Sequence, residues 1–341
     1  MNPRDINPSD FKKLEKYEER IRFLLRYAVL APSTHNTQPW LFKIQGNRCE
    51  IFYDERYLLP EADPKRRDLF ISMGCLLENL AIAANYFNVI FDLKIDVDSQ
   101  TTQVATFTIE GLSSTNFNDS YEKLLFTIPT RINARGLYTS LEGDLDLVEA
   151  ARLNLPQEYT NGININLISE KSKIEKVASL TAKGLELAYN QPRFRKEVSK
   201  WMKNSLTRKK EGLPGYSLKM PFLFSFILPT LVRYKDIGKF LGKLNSKSLA
   251  SAPVVTIISS KLSEPLTWVN VGRIAQRMML DINSQGLNTS IFIAAIEMGD
   301  LYKELKNITG INDDPQFLFV VGRVDSLPRF TPRHNIDKKI I

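Results

Sequence analysis

The stretch Ala31-Pro32-Ser33-Thr34-His35-Asn36-Thr37-Gln38-Pro39-Trp40 sets short polar side chains between two prolines. An ordinary connection between elements takes about two to six residues, so a longer and more polar one is shaped to hold something. Ser33, Thr34 and Asn36 can offer backbone donors and small polar groups to a flat, polar-rimmed ligand. Pro32 and Pro39 fix the loop's path and lower the entropy cost of ordering it. Little else in the chain is equipped for chemistry. The two histidines, His35 and His334, and the two cysteines, Cys49 and Cys75, form no cluster with metal-ligand spacing. No nucleophile elbow, Walker loop or G-x-G-x-x-G fingerprint occurs. If the protein is an enzyme, a cofactor has to carry the reaction.

The elements around the loop are legible. Leu14, Tyr17, Ile21, Leu24, Leu25 and Ala28 recur at helical spacing, which predicts a helix capped by Ser9 and ended near Ala31 by Pro32. Alternating Trp40, Phe42 and Ile44, the Gly46-Asn47 turn, and Cys49, Ile51 and Tyr53 predict a hairpin. The segment DPKRRDLFISMGCLLENLAIAANYFN is apolar over most of a helix's girth, which predicts a central helix. Strands are expected near 89–97 and 103–109, then a polar linker over 111–120.

Part of this order recurs. The helix pattern NVGRIAQRMMLDINSQGLN places Gly272 and Gly286 at the same spacing as Gly74 and Asn88, and both helices lead to an apolar strand ending in glycine, at Gly111 and Gly322. The ordered set predicts an internal duplication, with copies over 1–120 and 121–341. The second copy carries an insertion over 189–248, expected to be a lid or binding arm.

Composition fits a globular chain: 341 residues, 43% hydrophobic, 25% charged. Two cysteines and no apolar core in the first residues predict the cytoplasm rather than secretion. The longest mostly apolar run, Met220 to Val232, is broken by Pro221 and Pro229 and falls short of the roughly 20 residues of a bilayer span; it is expected to be buried or lid-forming, with a membrane-surface contact as the minor alternative. A net charge of +8 attracts phosphates, nucleic acid or acidic membranes. Its densest segment, Arg193 to Lys210, reads as a solvated helix face, so neither nucleic acid nor membrane is expected as a partner.

The string APSTHNTQPW resembles the A-P-S-x-x-N-x-Q-P-W signature of the nitroreductase family, whose members bind FMN. DPKRRDLFISMGCLLENLAIAA is similar to the Acg-like branch, and the resemblance runs in order from about Arg20 to Ile336. It implies an α+β fold of two fused nitroreductase-like copies: an intramolecular pseudo-dimer with central helices and mixed or antiparallel sheets. In that family the A-P-S-x-x-N loop meets the isoalloxazine ring and basic residues of the other copy hold the phosphate. By resemblance, Pro32, Ser33, Thr34 and Asn36 form the ring loop. TRINARG supplies Arg131, Asn133 and Arg135, and RFTPRHN supplies Arg329 and Arg333. Each set occurs once, so one chain should hold one FMN. Two or three convergent guanidiniums match the charge and acceptor oxygens of a phosphate. Read without the family, Arg131 and Arg135 are ordinary surface arginines.

Several other residues have plainer roles. Trp40 is expected as a core anchor, His35 as a loop filler, Asn79 as a satisfied core polar group and Cys75 as an inert buried thiol. His334 either touches phosphate or sits in a solvated tail. Many family members carry an acidic-glycine pair near the ring where this chain has Ile291 to Ala295.

The activity implied is NAD(P)H-dependent, two-electron reduction of a nitroaromatic- or quinone-like acceptor through flavin N5, with no catalytic side chain and no metal. The partners are then small-molecule electron donors and acceptors. The alternative is a flavin-sequestering or sensing protein with an occluded FMN. A monomer is expected, with a weak dimer as the alternative.

Overall fold

The computed structural model describes residues 2–97, 101–114 and 116–341. The first helix, α1 (Tyr17–Ala28), leads through the polar loop to the hairpin β1 (Trp40–Gln45) and β2 (Arg48–Tyr53). Helix α2 (Arg67–Tyr86) returns the chain to β3 (Val89–Ile95) and β4 (Gln103–Leu112). After α3 (Glu122–Thr127) and α4 (Asp144–Leu153) comes β5 (Ile163–Ile168). A helical excursion follows: α5 (Lys171–Asn190), α6 (Pro192–Trp201), the short parallel pair β6 (Met202–Lys203) and β7 (Leu213–Pro214), α7 (Phe224–Tyr234) and α8 (Gly238–Ser251). The chain closes with β8 (Val254–Ser260), α9 (Pro265–Ser284), β9 (Asn288–Ile291), α10 (Ala294–Glu297), α11 (Leu301–Thr309) and β10 (Asp314–Gly322).

The protein is thus α+β. Its two four-stranded sheets run β1-β2-β4-β3 and β5-β8-β10-β9, antiparallel at every pair. Both follow one path, with a long helix between the second strand and the third. The first pair of strands is joined by the Gly46-Asn47 turn, and the equivalent pair, β5 and β8, by the helical excursion. The 189–248 segment lies inside that excursion. Asn88 and Gly286, just beyond α2 and α9, both have positive φ, the left-handed conformation that stops a helix.

One apolar cluster joins the halves through α2 and α9, with Leu76, Leu80, Ile274 and Met278 fully buried. Gly74 and Gly272 sit where these helices cross; a Cβ on Gly74 would lie 2.0 Å from Val269 O. Glu78, on α2 and fully buried, pairs with Arg273 at 3.3 Å and Arg277 at 2.8 Å on α9. Helix α2 is long and apolar enough to cross a membrane, but here it is the buried core helix. Trp40, Asn79 and Cys75 are buried, and Asn79 bonds Tyr27 O and Gln276 Nε2.

Three sequence expectations need correction. No continuous helix starts at Ser9: Pro8–Lys13 is a 3-10 turn whose cap is Asn7, and Leu14 is extended. The Asn7 side chain bonds the Ser9 N–H and hydroxyl, a local alternative that competes with α-helix. The run Met220 to Val232 is not buried as a whole; Phe222, Leu223, Phe226 and Ile227 are exposed. The 111–120 linker is described apart from Thr115, which lies outside the described residues, and its end forms a 3-10 turn, Asp119–Tyr121.

Candidate functional site

The polar loop is held in a conformation its own residues do not favour. His35, Asn36 and Gln38 all have positive φ, a cost of order 1–3 kcal/mol each that surrounding contacts must offset. Ser33 starts the restraint: its Oγ accepts from Gln38 N at 2.9 Å. Gln38, fully buried, donates to Lys210 O at 2.6 Å and accepts from His334 N at 2.9 Å, while its carbonyl accepts from Lys339 Nζ at 2.7 Å. Asn36 donates to Gly212 O and Pro332 O, both at 3.1 Å, and accepts from Arg333 Nη1 at 2.5 Å. The C-terminal tail reaches this loop because it pairs with β1: Phe42 N donates to Lys339 O and Ile341 N to Phe42 O. The first sheet therefore receives the last residues of the chain.

A cavity of about 240 Å³ opens beside the loop. All nine sequence-predicted site residues line it: Pro32, Ser33, Thr34, Asn36, Arg131, Asn133, Arg135, Arg329 and Arg333. They do not all present free groups. Asn36 is bonded at every side-chain position, and Asn133 is occupied with Ser290 Oγ and Ile291 N. Those two shape the cavity rather than offer it a donor.

Arginines dominate the cavity's charge. Arg4, Arg131, Arg135, Arg329 and Arg333 line it, and none is paired with a carboxylate among the described residues. Arg131 and Arg333 are buried. Arg131 Nη1, Arg135 Nε and Arg333 Nε have no hydrogen-bond partner. Burial pulls the Arg131 guanidinium down to about 10, and burial followed by the charge of Arg131 does the same to Arg4. Arg333 is pushed well down by burial, then by Arg4 and Arg131. Burying like charges without a counter-ion is costly, and an anion with several acceptor oxygens would relieve it. Arg329 stands over the Tyr216 ring at 4.2 Å and Arg4 over Phe330 at 4.1 Å.

Next to the loop, Asp68, Ile71, Ser72 and Cys75 of α2 form a wall. Burial pushes the Cys75 thiol up to about 12, so it is a protonated wall residue. Asp68 belongs to a carboxyl group of three with Asp63 and Glu297. Thr34 Oγ1 donates to Asp68 at 3.3 Å and Arg67 to Glu297 at 3.0 Å. Burial, then mutual repulsion, raises Asp63 to about 7 and Glu297 well above a carboxylate's usual value; Asp68 is raised by burial. At neutral pH this group holds a proton. Arg67 already stands among its carboxylates and supplies their positive charge.

A second, larger chamber of about 650 Å³ adjoins the first; Thr34, His35, Arg135, Leu213, Ile291 and Ile293 line both. Its walls are apolar, with Leu185, Phe194, Met220, Leu228 and Leu241 from the helical excursion and Phe292 from the end of β9. Ile291 and Ile293 form the threshold, and Glu297 stands just beyond them. His35 Nε2 is unpartnered, and burial lowers the ring to about 4, so it is neutral. His334 lies outside the cavity lining and faces Glu211 at 3.1 Å.

Arg4, Asp68 and Glu297 were not among the residues expected from the sequence. Arg4 stands in no local pattern, and its place comes from a bond to Pro129 O at 2.5 Å. Asp68 and Glu297 are brought together from α2 and α10 by the fold alone.

Fold and site together define an α+β protein with an anion-demanding cavity between two sheet-and-helix units. No family model matches the chain. A 65-residue stretch is 38% identical to two Mycobacterium tuberculosis proteins named as candidate NAD(P)H nitroreductases, MT3217 of strain CDC 1551 / Oshkosh and Rv3131 of strain H37Rv. The match spans 19% of this chain and 19% of each relative. Among solved structures, the FMN-dependent nitroreductase NfnB of Mycobacterium smegmatis, in complex with NADPH, is 15% identical with a TM-score of 0.38, over 62% of this chain and 96% of that one. A nitroreductase of Bacteroides fragilis with bound FMN is 12% identical with a TM-score of 0.37, over 61% and 92%.

Proposed function

We propose that the protein is an FMN-dependent oxidoreductase of the nitroreductase type, built as two fused Acg-like copies over 1–120 and 121–341 and working as a cytoplasmic monomer. One observation carries this reading: buried guanidiniums with orphaned N–H groups share a cavity with a neutral, polar, rigidly pinned loop. A ligand with a multivalent anion at one end and a polar-rimmed ring at the other answers both. The matching paths of the two sheets and the glycine crossing of α2 and α9 support the fusion.

The orphaned donors fit the cofactor. Arg131, Arg135, Arg329 and Arg333 would hold its phosphate, with Arg4 adding charge. Pro32, Ser33 and Thr34 would meet the ring, and Asn36 would hold their loop in place. Bound there, FMN would supply two-electron transfer between NAD(P)H and a nitroaromatic- or quinone-like acceptor. The chain's own part is to bind, orient and exclude water. Ile291 and Ile293 keep the threshold dry, and the apolar chamber beyond them gives a second reactant a seat. Asp68 lines the cavity and Glu297 the adjoining chamber, and burial raises both carboxyls, so they would offer a reduced acceptor a proton donor. That departs from the sequence expectation that no side chain takes part.

A second reading is flavin sequestration. Leu213 and Ser217 of the helical excursion line the cavity, and Gly212 is tied to Asn36, so the excursion lies against the ring loop. The adjoining chamber favours turnover. FMN titration followed by visible absorbance tests the cofactor, and a protein that stays colourless overturns both readings. Anaerobic mixing with NADH or NADPH then separates them: rapid bleaching supports the enzyme, and bleaching by dithionite alone supports sequestration.

A further inference from the structure

The strongest feature that this function leaves unused is the outer face of α7 and α8. Phe222, Leu223, Phe226, Ile227 and Tyr234 recur at the spacing of one helical face, and that face points outward: Leu223 is 76% exposed, Ile227 60% and Phe222 52%. The opposite face, Ser225, Leu228 and Val232, is buried. Helix α7 is therefore apolar on both sides, whereas a helix on a water-facing surface normally carries a polar outer side. Phe222 and Phe226 pack ring to ring at 5.4 Å, forming a preset apolar knob.

Positive charge follows that knob in sequence, at the end of α7 and along α8. Between Met220 and Ser251 the basic residues are Arg233, Lys235, Lys239, Lys243 and Lys247, against one acid, Asp236. All five are exposed, and none is ion-paired among the described residues. Asp236 is exposed as well, and accepts from Gly238 N at 2.8 Å. Lys239, Lys243 and Lys247 are spaced four residues apart along one line of α8, beside the exposed Phe240 and Leu244, and at its far end Leu244 and Lys247 also border the apolar chamber.

We propose that the α7–α8 face is a peripheral docking surface for an anionic lipid bilayer. The apolar knob enters the boundary of headgroup and acyl chain, and the lysine line meets the lipid phosphates. Charge complementarity selects this occupant. A second copy of the chain would bring two cationic rims together, and nucleic acid would leave the aromatic face unmatched. The inward faces of the same helices, with Leu228 and Leu241, wall the apolar chamber, so docking would set that chamber beside the lipid phase. The inference stands without the flavin reading, since lipid binding is measured with or without cofactor.

The test is co-sedimentation of the full chain with vesicles of phosphatidylglycerol in phosphatidylcholine, against phosphatidylcholine alone. Binding is expected to the anionic vesicles and to weaken with salt. Leu223→Asp with Ile227→Asp should weaken it about tenfold or more, from the lost apolar burial. Lys239→Glu with Lys243→Glu should weaken it about tenfold or more as well, since each basic residue near an anionic surface contributes about fivefold. These positions are exposed, and far-UV circular dichroism checks that the variants fold. Lys196→Glu with Lys200→Glu, equal in charge but on α6, should have little effect. The proposal is overturned if wild-type protein stays in the supernatant, if the α6 pair weakens binding as much as the α8 pair, or if sedimentation without lipid reveals a dimer that Leu223→Asp dissolves.

Discussion

Gly74 and Gly272 oppose each other at the crossing of the two central helices, so near that a Cβ on Gly74 would lie 2.9 Å from the Gly272 Cα. Each also faces backbone oxygen of the other helix: an added Cβ would lie 2.0 Å from Val269 O at Gly74 and 2.1 Å from Ile71 O at Gly272. Only hydrogen fits at either position, which lets α2 and α9 approach as backbone on backbone.

Gly272→Ala therefore has no flexible neighbour to push aside. The helices must separate, and the predicted loss is about 1–3 kcal/mol or more, the range for an overpacked core. Gly111→Ala is the control, since its methyl would meet nothing closer than 3.9 Å. Urea unfolding of both variants checks this; equal midpoints would mean the crossing is looser than described.

Beside the crossing, Glu78 is fully buried and serves both Arg273 and Arg277. Arg273 is further fixed over the Tyr159 ring at 3.9 Å. Glu78→Gln keeps the shape but leaves two guanidiniums without their counter-charge. Breaking a buried pair from one side costs about 3–5 kcal/mol. Thermal or urea denaturation should show a loss in that range, and a variant as stable as wild type would mean water already solvates the pair.

Flavin retention should distinguish the arginines by position. Arg131→Ala or Arg333→Ala removes a charge-assisted contact worth about 1.5–3 kcal/mol, roughly tenfold or more in affinity. Arg195, whose guanidinium serves Tyr189 O and Asn190 O, should be replaceable by alanine without effect on affinity. Because Arg333 also holds Asn36, its loss should additionally loosen the ring loop, and Arg333→Lys should recover charge without the full set of bonds. Fluorescence titration with FMN reads all four; equal affinities would place the phosphate elsewhere.

How much of this was legible follows from how local each signal was. The α2 stripe and the Trp40–Phe42–Ile44 alternation are repeats of single elements, and they fixed helix and hairpin to within a few residues. The nine expected site residues stood in short strings and share one cavity. What stayed hidden depends on distant partners. Nothing near Arg4 announces that it meets Pro129, and nothing near Asp68 announces Glu297. The backbone of 34–38 was unreadable for the same reason: the tail and Lys210–Gly212 supply the bonds that offset its left-handed residues. The run Met220 to Val232 misled because apolar composition suggests burial without saying which face of a helix finds a partner.

The three carboxyls give the molecule a pH signature. Burial raises Asp63 to about 7 and raises Asp68 and Glu297 as well, against about 4 for such groups in an unfolded chain. A carboxyl with a raised folded value binds more protons folded than unfolded, so stability falls as pH rises between the two values. The loss should begin near pH 4 and be complete for Asp63 just above pH 7. Arg67 moderates the effect from within the group, through its 3.0 Å contact with Glu297. Glu297→Gln removes one of the three raised carboxyls, the one that burial and the charges of Asp68 and Asp63 push up. The variant should accordingly lose less stability than wild type between pH 5 and pH 8. Urea midpoints at the two pH values measure it, and parallel pH profiles for variant and wild type would show that folding does not raise Glu297.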